Sequence, residues 1–470
     1  MVAKAGIRND PIHASRRTVG TEAPPSDWGY RAPSAMVQTP WGDARKLSSS
    51  VLRPGPGIPR EEVARNRRER LFAATVISVA ERGYEATTVA HLTEIAHMSR
   101  GAFYEQFRSK HDCFMATVDE ITAQGRAATA HAFTSHEGSW EERLRAALET
   151  VVAVVAAYPE TARLCYVDAY TAGPEATARA ESSLEVFAEM AQVGIAASPE
   201  RTEVPPEVVH AVLGGLHVVI EDHLRRDAAG ELPNRVPALW RWALSYQSPA
   251  EPLSRPRRRL RSAGVARRIE LDADERILRA TAETVTEQGY VATTVADIVR
   301  AASVSLSTFY AHFDSKEDAF LATLEQGRAQ GLAATLPAFQ RAPDWQRSVR
   351  GGLRALFSFL AVETAWAGVA AEVRAAGTRA TEHAQQTMRM FGDLLAPGEA
   401  AAGGTPSVMR AAIGGAIYTL AIDEVRVGRA ARLPELLPVA TFIALAPYVG
   451  VEEATAVAND DGRGRAERGA

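Results

Sequence analysis

The sequence predicts a helical protein built twice over, and two observations carry that expectation. Residues 83–114 (GYEATTVAHLTEIAHMSRGAFYEQFRSKHDCF) align without a gap with residues 289–320 (GYVATTVADIVRAASVSLSTFYAHFDSKEDAF), at an offset of 206 and with 16 identities in 32 positions. Just before each copy, apolar residues recur at helical spacing. Phe72, Thr75, Val76 and Val79 stand at i, i+3, i+4 and i+7, and Leu278, Thr281, Ala282 and Val285 repeat the stripe. A fainter correspondence follows downstream, Gly214-Gly215 with Gly414-Gly415 and Leu232-Pro233 with Leu433-Pro434. The repeat is therefore about 200 residues long, a whole domain pair and not a solenoid repeat of roughly 20 to 50.

Each unit opens with the same series of short helices. The striped helix ends at Gly83 or Gly289, because glycine enters a positive-φ C′ position at little cost. Thr88 or Thr294 caps a second helix with Val89, Leu92 and Ile95, or Val295, Ile298 and Val299, on its apolar side. After a turn (Ala96-His97-Met98 or Ala302-Ser303-Val304), Ser99 or Ser305 caps a third helix. It carries Phe103, Tyr104 and Phe107, or Phe309, Tyr310 and Phe313. Ser109 and Ser315 cap a fourth helix, each with an aspartate three residues on (Asp112, Asp318) for the free amides of the first turn.

Composition sets the boundaries. Residues 1–57 are rich in Pro, Gly and Ser, lack apolar periodicity and read as a disordered arm. A first head spans 58–110 and its body 111–247. The linker 248–268 combines prolines with seven arginines. A second head spans 269–316 and its body 317–450, and 451–470 reads as a frayed polar tail. The 470 residues are 46% apolar and 23% charged, enough for sizeable cores. With 53 Lys+Arg against 57 Asp+Glu, a globally basic nucleic-acid coat is excluded, so any nucleic-acid site must be local. Two cysteines cannot make a disulfide framework, apolar stretches such as 211–220 fall short of a membrane span, and the opening residues MVAKAGIRNDPIHASRR lack the apolar h-region of a secretory signal. Cytoplasmic residence without membrane attachment is the expectation.

Two short helices joined by a 3–4-residue turn form a helix-turn-helix, whose second helix fits the major groove of DNA. Its first residues are Arg100, Gly101 and Ala102 in unit one, and Leu306, Ser307 and Thr308 in unit two. Arginine is the commonest reader of guanine, while Thr and Leu suit thymine methyls. Tyr104 and Tyr310 lie off the apolar stripe and can reach phosphate, as can Lys110 and Lys316. Net charge is +2 over 60–110 and +3 over 255–316. Arginines cluster before each motif (Arg65, Arg67, Arg68, Arg70; then Arg257, Arg258, Arg259, Arg261, Arg267, Arg268), as backbone-following arms or as ordinary solvated surface.

The runs TTVAHLTEIAHMSRGAFYEQFRSK and TTVADIVRAASVSLSTFYAHFDSK closely resemble the DNA-binding domain of TetR-family transcriptional regulators, over about 50 residues per unit. Both match the family's Ser, aromatic-Tyr, second Phe and Ser-Lys. They depart from it at His97 and Ser303, which stand where the family has glycine, at Ser307 in place of a second glycine, at Gln106 where His312 keeps the usual histidine, and at Leu306 in a usually polar position. The resemblance implies an all-α fold, two three-helix heads each carried by a helical-bundle body for ligand and dimerisation. Double-stranded operator DNA is the implied partner, contacted by Thr88, Ser99, Arg100, Gly101, Ala102, Tyr104, Gln106 and Lys110, and by Thr294, Ser305, Leu306, Ser307, Thr308, Tyr310, His312 and Lys316. Body helices are expected near 140–157, 160–171, 174–194, 205–226 and 234–247, then 344–361, 363–376, 378–395, 406–428 and 434–448.

Family members usually act as homodimers. Two heads on one chain imply an intrachain pseudo-dimer through the last two helices of each body, with the Gly-Gly pairs allowing close approach, and an asymmetric operator. Association of two whole chains stays open. The implied effector is a small apolar or amphipathic molecule. Its candidate pocket residues are Trp140, Tyr158, Tyr166 and Tyr170 in unit one and Phe357, Phe359 and Trp366 in unit two, the second pocket being the candidate for loss. No cofactor or metal is implied. The rival readings are thin. His111-Asp112-Cys113 are consecutive on a helix and do not face one another, so no enzyme is indicated. His210, His217 and Glu221 share a face as a weak metal candidate. The alternative to a DNA reader is an interaction or ligand-sensing protein whose heads no longer bind DNA.

Overall fold

A chain whose apolar residues recur at helical spacing buries them by packing helix on helix, and the computed structural model shows this over the residues it describes: 37–43, 46–53, 55–254, 272–401 and 407–460. A two-stranded hairpin, β1 (Gln38–Thr39) with β2 (Gly42–Asp43), precedes unit one. The head of unit one is α1 (Arg60–Ala86), α2 (Val89–Ile95) and α3 (Arg100–Tyr104). Its body is α4 (Lys110–Ser135), α5 (Trp140–Ala157), α6 (Pro159–Tyr166), α7 (Pro174–Glu181), α8 (Ser183–Ala197), α9 (Pro206–Arg225) and α10 (Leu232–Leu244). The head of unit two is α11 (Ala273–Gln288), α12 (Val295–Ala302) and α13 (Leu306–His312). Its body is α14 (Lys316–Gln340), α15 (Trp345–Val362), α16 (Thr364–Ala371), α17 (Thr378–Asp393), α18 (Ala396–Ala401), α19 (Ser407–Arg426) and α20 (Leu437–Val449), with α21 (Val451–Asn459) behind it. Among the described residues the fold is all-α apart from the hairpin, and the body helices fall close to where the sequence places them, except that the stretch expected over 174–194 is divided between α7 and α8 and that α18 is not among those expected.

The two bodies share one core. Helix α9 lies along α19 with Gly214, Gly215 and Gly415 at the contact, while Gly414 faces the Met388 carbonyl of α17 instead. A Cβ at Gly214 would overlap the Thr419 side chain, one at Gly215 would overlap the Ala412 carbonyl, and one at Gly415 would come within 2.8 Å of Val218. A single apolar cluster runs from Leu148, Val219 and Trp242 of unit one to Ile413, Phe442 and Ile443 of unit two. Trp242 donates its indole N–H to Tyr246 (2.9 Å), and Tyr246 donates in turn to the carbonyl of Ile443 across the junction (2.9 Å). Burial at this density makes the two bodies one packed unit, because separating them would expose the cluster's apolar surface to water.

Charged groups cross the junction too. Glu221 of α9, buried, pairs with Arg225 of its own helix at 3.0 Å and with Arg374 of unit two at 2.9 Å. The Arg374 guanidinium lies 4.8 Å from the Tyr170 ring, and Tyr170 Oη stands 3.1 Å from Nε2 of the buried His217. Burial raises the cost of charge on Glu221, but Arg374 and Arg225 outweigh it and hold the carboxyl below its usual range. Burial, helped by Arg374, pushes the His217 imidazole down to about 3. Nearer the surface, His210 reaches Asp423 at 2.6 Å, which raises its pKa, and Arg426 reaches Glu181 at 2.6 Å. His210, His217 and Glu221 are thus engaged in three different pairings, and among the described residues no group of three or more metal-ligating side chains is assembled.

Three boundary expectations change. Residues 1–36, 44 and 45 lie outside the described residues, but 37–43 and 46–53 are not a loose arm. Leu47 and Val37 are buried against α1, the Trp41 ring centroid lies 5.3 Å from that of Phe72, and Asn66 hydrogen-bonds both Leu52 N (3.1 Å) and Ser50 O (2.9 Å). Composition conceals this because three apolar side chains, too few for a periodic pattern, do the anchoring. The tail expected from 451 instead forms α21 as far as Asn459, burying Ala454, Val457 and Ala458. Thr455 and Asn459 receive the backbone N–H groups of Ala250 and Ser254, so the start of the linker is docked. The linker arginines 257, 258, 259, 261, 267 and 268 lie outside the described residues, as does 461–470. Finally, Ala430–Val449 is long and apolar enough to cross a membrane, which the sequence reading overlooked. It is mostly buried, because Leu437, Ala440, Phe442 and Ile443 enter the shared core.

Two measurements test this architecture. Gly215→Val is expected to cost about 1–3 kcal/mol in urea unfolding, since backbone blocks the new side chain, whereas Gly125→Ala, with nothing within 4 Å of a Cβ, is expected to be neutral or stabilising. The depressed pKa of His217 means that its contribution is complete above the unfolded value near 6.5 and is lost as pH falls toward 3. Urea unfolding from pH 7.5 to 4.5 should show stability falling by up to about 1.4 kcal/mol per pH unit from this group, and a shallower fall in His217→Gln.

Candidate nucleic-acid interface

Both heads are assembled from the local chemistry that their sequences specify. Gly83 and Gly289 turn the chain at φ 76° and 81° with ψ near 160° (164° and 156°), a region that side chains rarely enter. Thr88 accepts the His91 N–H and Thr294 accepts that of Asp297, whose carboxylate returns to Thr294 N in a reciprocal cap. Ser99 accepts from Ala102 N at 3.1 Å and Ser305 from Thr308 N at 3.0 Å, which starts α3 and α13. Phe103 and Phe309 are completely buried beneath them, and Phe107 is buried beside Leu71, Phe72, Leu92 and Cys113. The buried Phe fixes the roll of each short helix. Its opposite side is left in solvent.

That outer side carries the residues expected to meet DNA. Arg100 and Gly101 are exposed, Ala102 and Gln106 are half-buried, and Tyr104 is 57% exposed. In unit two, Leu306 is 52% and Tyr310 53% exposed, with Ser307 and His312 also open to solvent. The Ser307 and Thr308 hydroxyls lie 2.8 and 2.7 Å from the capping Ser305 Oγ, so they are partly occupied by their own helix start. Thr88 and Thr294 serve as caps in the same way. The two faces differ in chemistry: a cation and a phenol in one head, an aliphatic side chain and hydroxyls in the other.

Several cations expected at the DNA backbone are used inside the heads. Lys110 places Nζ 2.9 Å from the Tyr84 carbonyl and 3.2 Å from that of Glu85, and 4.4 Å from the Tyr84 ring centroid. Lys316 repeats this on the Tyr290 and Thr293 carbonyls (2.9 Å each) and the Tyr290 ring (4.1 Å), and burial lowers its pKa. These lysines tie the fourth helix to the exit of the first. Arg67 pairs with Glu105 at 2.7 Å, and Arg68 lies 4.9 Å from the Phe107 ring.

Arg70 has a role that sequence reasoning missed. It is 4% exposed and donates to the carbonyls of Ala96 (2.5 Å) and His97 (3.3 Å) in the helix-turn-helix turn. That turn needs a left-handed residue, which the family supplies as glycine. Here His97 (φ 49°) and Ser303 (φ 54°) adopt it, so the motif keeps its shape despite the substitutions. Arg276, at the same offset in unit two, is exposed. A cation in a basic run gives no sign of turning inward, and only the three-dimensional position of the turn carbonyls reveals it.

Of the pocket residues, Phe357, Phe359 and Trp366 converge on a cavity of about 220 Å³ among α14, α15, α16, α17 and α19. Trp140 lines a smaller space of about 100 Å³ in unit one. Tyr158, Tyr166 and Tyr170 line neither. Tyr166 stacks beside His217, with ring centroids 4.8 Å apart, and Tyr170 belongs to the junction between the units. The expectation that the second pocket is the reduced one is reversed, because aromatic content alone cannot tell a side chain that lines a space from one that fills it.

Residues 71–117 and 277–323 each match the family model for bacterial regulatory proteins of the tetR family. Each unit therefore carries a TetR-type DNA-binding domain. The chain's two TetR-type heads make it a DNA-binding transcriptional regulator. No curated protein matches the chain. Solved structures similar to it include the fatty acid degradation regulator FadR from Bacillus halodurans (17% identity over 41% of this chain and 97% of that one, TM-score 0.36). A TetR family transcription regulator from Marinobacter aquaeolei VT8 is another (20%, 37% and 94%, TM-score 0.32), and so is FadR from Bacillus subtilis in complex with stearoyl-CoA (14%, 37% and 97%, TM-score 0.34).

The Arg70 contact gives a direct test. Arg70→Met leaves two turn carbonyls without their donor and is expected to cost about 1–3 kcal/mol in urea unfolding, while the exposed Arg276→Met should change stability little.

Proposed function

We propose that the protein is a ligand-responsive repressor in which one chain does the work of a dimer, its two heads reading the unlike halves of an asymmetric operator. The observation that carries this reading is the α9–α19 junction, which joins two complete TetR-type units through the helices at the end of each body. Two heads on one rigid body suit two major-groove segments about one helical turn, or roughly 34–36 Å, apart. Arg100 is assigned to a guanine in one half-site, and Leu306 with Thr308 to a more apolar, thymine-like surface in the other. Tyr104 and Tyr310 are assigned to phosphate. The bodies would hold a small apolar or amphipathic effector that lowers operator affinity, to the extent that it binds the released arrangement better than the DNA-bound one. The working compartment of such a regulator is the cytoplasm, and its function calls for no catalysis.

Selection of bound fragments from random double-stranded DNA, followed by gel shifts at two salt concentrations, tests the reading. It expects an asymmetric site and binding that weakens steeply with salt. Arg100→Ala should relax base preference in one half-site only, by about 1–3 kcal/mol of discrimination, and leave the other half unchanged. Equal effects on both halves would contradict the single-chain arrangement, and failure to retain any duplex in dilute buffer would contradict DNA reading by this protein.

A further inference from the structure

The units are alike in their heads and unlike in their bodies. The unit-two cavity owes its space to small residues. Gly327 on α14 faces Trp366, with an ideal Cβ 3.3 Å from that ring, and Gly352 on α15 faces Thr335 and Phe339. In unit one the matching positions, by the common starts of α4 with α14 and α5 with α15, are Ile121 and Ala147. Ile121 packs against the apolar cluster there and Ala147 is completely buried, so the same region of unit one is filled with side chains. The unit-two cavity is walled by Leu324, Phe357 and Phe359, while Arg328 and His383, both joined to Glu325 (2.8 and 2.9 Å), give it one polar end.

Three consecutive residues beside this cavity face three different parts of the protein. The Glu372 carboxylate accepts the Tyr290 N–H at 2.9 Å, where the first helix of head two ends. Val373 lines the cavity. Arg374 reaches Glu221 and Tyr170 of unit one. Just before them, α16 sits hard against α11, where Thr286 donates to the Ala365 carbonyl and leaves no room for a Cβ at Gly368. The same stretch of unit one, Val167-Asp168-Ala169, stays at home: the ion partner of Asp168 is Arg163 of its own unit, at 3.9 Å.

We propose that this chain has one effector site and not two: the unit-two cavity takes a small amphipathic molecule of about nine or ten non-hydrogen atoms, and Glu372-Val373-Arg374 relays its presence to head two and to unit one. The size follows from scale, since a cavity of roughly 150 Å³ accepts benzene. The chemistry follows from apolar walls with one hydrogen-bonding end. A molecule pressing on Val373 moves the residues on either side of it, and these hold two bodies of the protein that must keep a fixed relation for both heads to meet DNA together. The proposal rests on the ligand-responsive reading above, and its test needs no DNA.

Titration calorimetry on the full chain with octan-1-ol and with octanoate, one neutral and one anionic probe of this size, should give one equivalent per chain for at least one of them. Gly327→Ile, which copies unit one, should abolish that binding. Spin labels at Arg108→Cys and Asp314→Cys, matching positions on the two heads, should report a shifted separation when the probe is bound. Arg374→Met, which leaves Glu221 paired with Arg225, should bind the probe yet lose at least half of the shift, and Glu372→Ala is a second variant expected to do the same. Two equivalents per chain, binding that survives Gly327→Ile, no binding of either probe at millimolar concentration, or an undiminished shift in both relay variants would overturn the proposal. Each of these outcomes leaves DNA reading by the heads to stand or fall separately.

Discussion

Everything in this protein depends on how closely α9 approaches α19. Helices whose contact surface carries side chains keep their axes about 8–10 Å apart. Glycine at 214, 215 and 415 removes the side chains that would hold these two apart, and Thr419, Val218 and the Ala412 carbonyl occupy the space. Once the backbones are that close, Trp242, Tyr246, Ile413 and Phe442 close around them into one core. The units then cannot drift as domains on a string do, and the buried Glu221–Arg374 pair becomes tolerable because each charge finds its partner with water excluded.

A fixed relation between bodies gives meaning to the difference between heads. The framework beneath each recognition helix is nearly the same: a capping serine, a buried phenylalanine, and a lysine tying the fourth helix to the exit of the first. Selection on the framework and selection on the outward face therefore act on different residues. Arg100 and Leu306 occupy equivalent places over equivalent supports, so a change of base preference in one head need not disturb its fold. The arginines ahead of head one illustrate the opposite case. Their charge suggests a DNA-following arm, yet Arg70 turns inward to two turn carbonyls, while Arg67 pairs with the exposed Glu105 and Arg68, itself exposed, lies over the Phe107 ring. Local charge is a fair guide to where nucleic acid binds and a poor guide to which cation touches it.

The bodies show duplication followed by divergence in volume. A glycine in one copy and an isoleucine in the other, at the same turn of the same helix, separate a cavity from a filled core. Apolar packing energy favours the filled state, so a retained void represents stability that the molecule has forgone at that place. In unit two the residues around the void also touch the neighbouring head and the other unit, a juxtaposition that a purely structural defect would have no reason to keep.

The sequence by itself determined the repeat, the heads, their caps, the inward phenylalanines and the outward tyrosines, and the approximate span of most body helices, though not the break between α7 and α8. These are properties of neighbouring residues, set by helical periodicity and by hydrogen bonds reaching three or four positions along the chain. Only the tertiary structure decided that Arg70 and Lys110 serve the head's interior, that Tyr166 and Tyr170 belong to the junction, that residues 37–43, 46–53 and α21 are docked, and that Phe357, Phe359 and Trp366 line a roomier cavity than Trp140 does. Each of these depends on where groups far apart in sequence come to rest. Whether an aromatic side chain lines a void or fills it, and whether a cation meets solvent or a carbonyl, is settled by the volume and partners around it, which no local pattern encodes.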